Sequence, residues 1–304
     1  MNTEEILPGL IKIVLPIARG GFESFINGWL IKDSERRKTI LIETGPASAV
    51  PGLLSDIAAL GVKDIDYLLY THVHLDHSGG AGQFCDAFPN VKIIAPNSGV
   101  SHLIDPSILF AASRKTLGAL CDAYGTPKNV PEDMFVSSMC DKEALEIIET
   151  PGHAPHHSSY IYNLNGKRIL FAGEAGGCCT ELADGDIFMR PATPHKFYCA
   201  TALSSLDKLL SLNDIYMICY PHSGSYPNAH ELLTIAKDQM ILWRDIVKSL
   251  PCGFNFDDAR EAIFRGDSMM KKLEFLPDDV RSRELFFIGQ SIKGYMGAAE
   301  RNVL

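Results

Sequence analysis

The sequence predicts an α/β protein made of two successive α/β halves followed by a run of helices. Three observations carry this. Strand-like segments rich in β-branched residues fall into two groups, the first ending near "VKIIAP" and the second running from "ALEIIETPG" to "DIYMICY". Segments of helical periodicity are interspersed in each group, and from residue 227 onward the pattern is helical throughout. Neither a tandem repeat nor a low-complexity linker separates the halves, so they are expected to share one core.

Taken in order, "LIKIVLPI" (10–17), "SFINGWLI" (24–31) and "KTILIETG" (38–45) read as an antiparallel start punctuated by glycines and charged turns. "VPGLLSDIAALG" reads as a short helix, with Pro51 near its start and Gly61 closing it. "IDYLLYT" is a buried strand, "SGGAGQFCDAF" a helix and "VKIIAP" another strand. Residues 97–131 contain "SILFAASRKTLGALCDAYG", which fits an amphipathic helical insertion. Strands return at "ALEIIETPG", "SSYIYNL" and "RILFAGE". A loop over 175–197, a helix around 199–212 and the strand "DIYMICY" complete the second half, and "AHELLTIAKDQMILWRDIVKSL" is the clearest helix of the tail.

Composition narrows the function. The chain has 304 residues, 46% of them hydrophobic and 21% charged, which is ordinary for a globular protein. A net charge of −9 and a longest basic stretch of only "RRK" (36–38) argue against nucleic acid and against an anionic membrane surface. The acidic opening "MNTEEILPGL" lacks an apolar signal core, and no apolar run approaches a membrane span, so a cytoplasmic location is expected. Eight cysteines without a CxxC pair read as reduced core or loop residues.

The chemistry concentrates in "THVHLDHSGG" (71–80), three histidines and an aspartate just past an apolar strand. Side chains at i and i+2 of an extended segment project the same way, so His72 and His74 can grip one ion. Asp76 and His77 follow where the chain turns into a helix and can aim at a neighbouring point. Imidazole with carboxylate suits zinc, iron or manganese rather than calcium. Other strand ends offer further donors: His153 after "LEIIE", Glu174 in "RILFAGEAGG" and His222 in "MICYPHSGS".

This pattern resembles the metallo-β-lactamase superfamily over about residues 10–225, and "FAGEAGG", "RPATP" and "IKGYMGAAERN" resemble a group of uncharacterised single-chain metallo-hydrolases within it. The resemblance implies an αββα four-layer sandwich with the metal site at one edge between the sheets. It makes residues 1–225 the catalytic domain, with the insertion at about 97–131, and residues 226–304 a helical C-terminal extension packed on the same core. It assigns His72, His74 and His153 to one metal and Asp76, His77 and His222 to a second, with Glu174 in the place of the usual bridging aspartate. His157 matches a histidine of the family's "GHTPGH" turn and is expected to orient a ligand imidazole. The implied cofactor is two divalent ions, zinc first, with iron or manganese as alternatives. The implied activity is hydrolysis of an ester or thioester of a small molecule by a metal-bound, bridging hydroxide oriented by Asp76.

Two other readings stay open. His72, His153 and Glu174 could form a mononuclear non-haem iron site like that of the superfamily's persulfide dioxygenases, or the chain could be a signalling or binding protein that keeps the metals. Around the site, Arg190 in "FMRPATPHKF" could meet a substrate anion, and His195 and Tyr226 are further substrate-binding candidates. Cys178 and Cys179 are read as small packing residues. The insertion and the tail are expected to cover the core, to form a substrate entrance or to build a homodimer.

Overall fold

The computed structural model describes residues 2–304. Strands β1 (Thr3–Leu7), β2 (Leu10–Val14), β3 (Asn27–Asp33) and β4 (Lys38–Ile42) form the expected antiparallel start. Helix α1 (Val50–Ala59) crosses to β5 (Tyr67–Leu69), and the short α2 (Leu75–Ser78) and α3 (Ala81–Ala87) lead to β6 (Lys92–Ile94). β4, β5 and β6 pair in parallel, so the first sheet runs β1 to β6 in sequence order. β1 was not expected from the sequence. It is an edge strand only five residues long with "EE" at its centre, and it pairs with β2 alone.

The expected helical insertion is made of three short helices, α4 (Val100–Ile104), α5 (Ser107–Leu117) and α6 (Ala119–Tyr124). Pro106 separates the first two, and Gly118, at φ +57°, separates the last two. The second sheet has the order β13-β12-β9-β8-β7, built from β7 (Leu145–Glu149), β8 (Ser158–Leu164), β9 (Lys167–Phe171), β12 (Ile215–Cys219) and β13 (Ser225–Tyr226). The segment expected as a loop over 175–197 holds a hairpin, β10 (Cys178–Glu181) with β11 (Ile187–Arg190). Its "ADGD" turn, with Gly185 at φ +83°, is an Asp-Gly hairpin signal. Helix α7 (Cys199–Leu210) precedes β12, and α8 (Ala229–Ser249), α9 (Phe256–Gly266) and α10 (Asp278–Glu300) close the chain.

The four layers follow from strands buried on both faces. In β3, Trp29 and Ile31 point between the sheets, while Leu30 points to the helices. Opposite them, Ile169 and Phe171 of β9 face inward and Leu170 faces outward. The two halves share the apolar layer between the sheets, as expected, and two further layers flank it. One apolar layer lies between the sheets, a second lies under α1 and α3, and a third lies under α7 to α10. The helical tail supplies much of the fourth layer: Trp243 of α8 and Tyr295 of α10 are fully buried in the apolar layer that covers the outer face of the second sheet. Burying each such side chain contributes on the order of 2–3 kcal/mol.

The site position follows from strand direction. β7 and β9 are both antiparallel to β8, and β12 is parallel to β9, so β7, β9 and β12 all end at one edge of the second sheet. Among the described residues, no helix is long and apolar enough to cross a membrane.

Candidate metal centre

Four loops deliver the candidate donors. The segment after β5 brings His72, His74, Asp76 and His77; the loops after β7, β9 and β12 bring His153, Glu174 and His222. His72, His74, His153 and Glu174 can each present one donor atom within 4.8 Å of the others, and so can Asp76, His77 and His222. A third such group joins Glu174 and His222 to the thiol of Cys178.

Glu174 lies between the two histidine groups. Its Oε2 is 2.8 Å from His153 Nε2, 3.5 Å from His72 Nε2 and 3.3 Å from His77 Nε2, and its Oε1 is 3.7 Å from His222 Nε2. Asp76 Oδ2 stands 3.6 Å from both His77 Nε2 and His222 Nε2. The i, i+2 expectation is met: His72 Nε2 and His74 Nδ1 are 3.1 Å apart, and His153 Nε2 is 2.9 Å from the same Nδ1.

The chemistry of these atoms fits a metal. Thr71 Oγ1 donates to Glu43 Oε1 at 2.7 Å, so it accepts from His72 Nδ1–H at 3.1 Å and leaves the Nε2 lone pair facing inward. His153 Nδ1–H donates to the Ala192 carbonyl at 3.0 Å, with the same result. The lone pairs of His72 and His153 thus converge on His74 Nδ1, an arrangement a cation would stabilise. His77 Nε2 is buried and has no hydrogen-bond partner among the described residues.

Charge is distributed unevenly around this point. Burial pushes His72 and His74 well below the usual imidazole range and His222 down to about 3. Burial also opposes charge on His77, but Asp76 and Glu43 outweigh it and raise that imidazole well above the usual range. Against burial, His153 chiefly holds Glu174 well below the usual carboxylate range, whereas burial raises Asp76.

His157 does not reach the donors; it holds the backbone that carries Glu174. Glu174 N–H donates to His157 Nε2 at 3.1 Å, so His157 Nδ1–H donates to Thr150 Oγ1 at 2.8 Å. Thr150 then donates to Ser159 at 2.9 Å, and Ser159 to the Ala172 carbonyl at 3.0 Å. Gly173 sits inside this circuit at φ +56°, where a side chain would collide with His157.

Other sequence candidates lie differently. Arg190 is 3% exposed, and its Nε donates to Glu284 Oε2 at 2.5 Å, so the guanidinium is part of a buried ion pair. His195 is exposed, and its carbonyl borders Gly297 near the far end of α10. Tyr226 is half-buried in β13, with its ring 6.2 Å from Tyr220 and its hydroxyl without a partner among the described residues. Cys178, read as packing, donates its thiol to Glu174 Oε1 at 3.1 Å and so supports the longer carboxylate.

Three residues at the site escaped the sequence reading. Glu43, at φ +67°, accepts from Thr71 N–H at 2.9 Å, and its Oε2 lies 2.9 Å from His77 Nδ1. The signal was available, because "LIETG" places an acid and a glycine at a strand end much as "FAGE" does. Thr150 and Phe25, whose ring lies 4.2 Å from that of His222, carried no such signal, since a threonine and a phenylalanine are ordinary in any core.

Comparison with known proteins agrees with this geometry. The profile of the metallo-beta-lactamase superfamily matches residues 21–222, about two-thirds of the chain. A probable metallo-hydrolase of Methanocaldococcus jannaschii is 31% identical over 130 residues, 41% of this chain and 58% of that protein. A hydroxyacylglutathione hydrolase of Pectobacterium atrosepticum is 27% identical over 207 residues, 66% of this chain and 62% of that protein. The chain thus spans about six-tenths of the length of these two relatives. A metallo-beta-lactamase family protein from Thermus thermophilus has the same fold, with a TM-score of 0.65 at 19% identity, covering 98% of this chain and 95% of the other. By its matched profile and its fold, this chain belongs to the metallo-beta-lactamase superfamily.

Proposed function

We propose that the protein is a metal-dependent hydrolase that cleaves an ester or thioester bond of a small acyl compound, using two divalent ions, zinc first, with Glu174 as their shared ligand. The observation that carries this reading is the position of Glu174, whose Oε2 lies 2.8 Å from His153 of one histidine group and 3.3 Å from His77 of the other. His72, His74 and His153 would hold one ion, and Asp76, His77 and His222 the other. Bound there, the ions would polarise the acyl oxygen and make water acidic enough to serve as nucleophile near neutral pH.

The chain's own groups divide the remaining work. Glu174 is hemmed in by imidazoles of both groups, whereas Asp76 contacts only those of its own group. Asp76 has the more exposed side chain, 15% against 9% for Glu174, which suits it to accept the proton of the attacking water and return it to the leaving group. His72 and His153 are held by Thr71 and Ala192 with Nε2 inward, so neither must reorient during turnover. The likeness to a hydroxyacylglutathione hydrolase supports an acyl substrate. All eight cysteines are unpaired, which supports a reducing, cytoplasmic setting.

Elemental analysis of protein purified with and without air, followed by a panel of acyl esters and thioesters, tests the reading. Two zinc or mixed divalent ions per chain with hydrolysis of panel members is the expected result. One iron per chain with oxygen consumption on a persulfide, or two bound ions with no hydrolysis, would overturn it.

A further inference from the structure

The buried imidazoles at the centre differ in what grips their outward nitrogen. His72 has Thr71 and His153 has the Ala192 carbonyl as hydrogen-bond partners, and His77 Nδ1 has the Glu43 carboxylate 2.9 Å away, a charge contact without hydrogen-bond alignment. His222 has none: its Nδ1 is buried and without a hydrogen-bond partner among the described residues. A ring so placed must be oriented by something other than polar contact.

Phe25 does this by stacking. Its ring lies parallel to His222, with centroids 4.2 Å apart and planes 6° apart. Phe25 belongs to the segment between β2 and β3, which is pinned beside His222 by a bridge between Ile26 and His222 and by Asn27 N–H donating to the Pro221 carbonyl at 2.8 Å. The guanidinium carbon of Arg283 also sits over the Phe25 ring, 4.0 Å from its centroid. Two planar groups about 4 Å from one centroid cannot share a face, so Phe25 is sandwiched between Arg283 and His222.

Arg283 is itself immobilised. It is 6% exposed, it donates to Glu284 Oε1 from Nε at 2.9 Å and from a terminal nitrogen at 2.6 Å, and it donates to the Gly21 carbonyl. Glu284 is held from its other oxygen by Arg190. Asp279, one turn earlier in α10, accepts from Gly21 N–H at 3.1 Å and ties the same segment to the helix. Residues some 260 positions apart therefore form one rigid stack that ends on a candidate metal donor.

We propose that Arg283 of α10 is a positioning residue for the second donor group, acting through Phe25 to fix the plane of the His222 ring. This rests on the metal-centre reading above. It gives the C-terminal helix a part in the centre that no donor motif records. Supports of ligand imidazoles typically alter metal affinity by about 10–100-fold. A stack fixes the ring plane less completely than a hydrogen bond does, so the expected effect is the lower end, about tenfold.

The test compares the unaltered chain with R283M, R283K and F25L by stepwise cobalt(II) titration of metal-free protein, read by visible absorption. His222 ring resonances are followed by NMR in the same metal-free samples. We expect the first ion to bind R283M and F25L as it binds the unaltered chain, and the second to bind about tenfold more weakly. R283K, which keeps the cation over the ring, should recover most of the loss. The His222 resonances should shift in R283M, where every aromatic ring is still present. Second-ion affinity within twofold of the unaltered chain, or equal weakening of both ions, would overturn the proposal. If R283M does not fold, R283Q, which also removes the cation over the ring, takes its place with the same expected second-ion loss, and second-ion affinity within twofold there would overturn the proposal. If the unaltered chain takes up fewer than two ions, the two-ion reading falls, and the His222 shift alone decides whether Arg283 orients the ring.

Discussion

The two sheets contribute to the centre in different ways. The first supplies His72, His74, Asp76 and His77 from one short segment after β5, while the second supplies His153, Glu174 and His222 one at a time from the ends of β7, β9 and β12. In the first sheet, local geometry suffices: an extended stretch followed by one turn of helix points four side chains at neighbouring positions. In the second, placement depends on three strands ending together at one edge and on supports brought from elsewhere, the Ala192 carbonyl for His153, His157 for the Glu174 backbone and Phe25 for His222. A compact motif can be read from a sequence because its geometry is written in adjacent residues. A dispersed one depends on register.

The strongest way to break this contrast is E174A, which removes the one residue that faces both histidine groups. On the proposed two-ion reading, its loss should lower kcat/KM on the order of 10³-fold and leave fewer than two ions bound. Activity within tenfold of the unaltered enzyme would mean that the two groups work independently. E43A attacks the compact half from behind, through both Thr71 and His77. It should weaken metal binding about 10–100-fold in a chelator competition, and unchanged affinity would show that local geometry needs no outer support. T150V strikes the support of the dispersed half. It leaves the His157 Nδ1–H without an acceptor and should cost about 1–3 kcal/mol in urea unfolding. A loss below about 0.5 kcal/mol would make the circuit around Gly173 incidental.

The least site-specific expectation concerns acid stability of the metal-free protein. His72, His74, His156, His157 and His222 are all lowered by burial, to about 4 for His156 and about 3 for His222. An unfolded histidine titrates near about 6.5, so below that pH the unfolded chain binds more protons and stability falls as pH drops toward the folded values. His77 is raised and acts oppositely, its contribution being present below about 6.5 and lost as pH rises through its folded value. Below about pH 6.5 the His77 contribution is constant, and the five lowered imidazoles outnumber the opposing Asp76, which burial raises, so the thermal midpoint should fall from about pH 6.5 to 4.5. A flat profile would contradict the buried, neutral state of these imidazoles.

Much of this was legible beforehand. The strand–helix alternation, the four donors of the compact motif and the three single donors at strand ends all follow from apolar runs that stop at a histidine or an acid. The hairpin β10–β11 was missed because a run of four residues gives periodicity little room, though its Asp-Gly turn was visible. The insertion is helical as expected, but its amphipathic face was overread: α5 buries none of its residues, and the breaks between helices fall at Pro106 and Gly118. Arg190 illustrates a different limit. A cation in a loop near the site invites an anionic substrate, but its partner Glu284 lies 94 residues away and only the fold brings the two together.

The circuit that begins at the Glu174 amide and returns to the Ala172 carbonyl encloses a single residue, Gly173. Its members Thr150, His157 and Ser159 are all buried. Loop amides ordinarily exchange with solvent deuterium through small local openings, but this one cannot open without breaking bonds that reach β8 and the end of β7. The Glu174 amide should therefore exchange as slowly as the centres of the strands, on the time scale of global unfolding. Substrate exchange at the centre, whatever else moves, would then proceed over a floor that stays still.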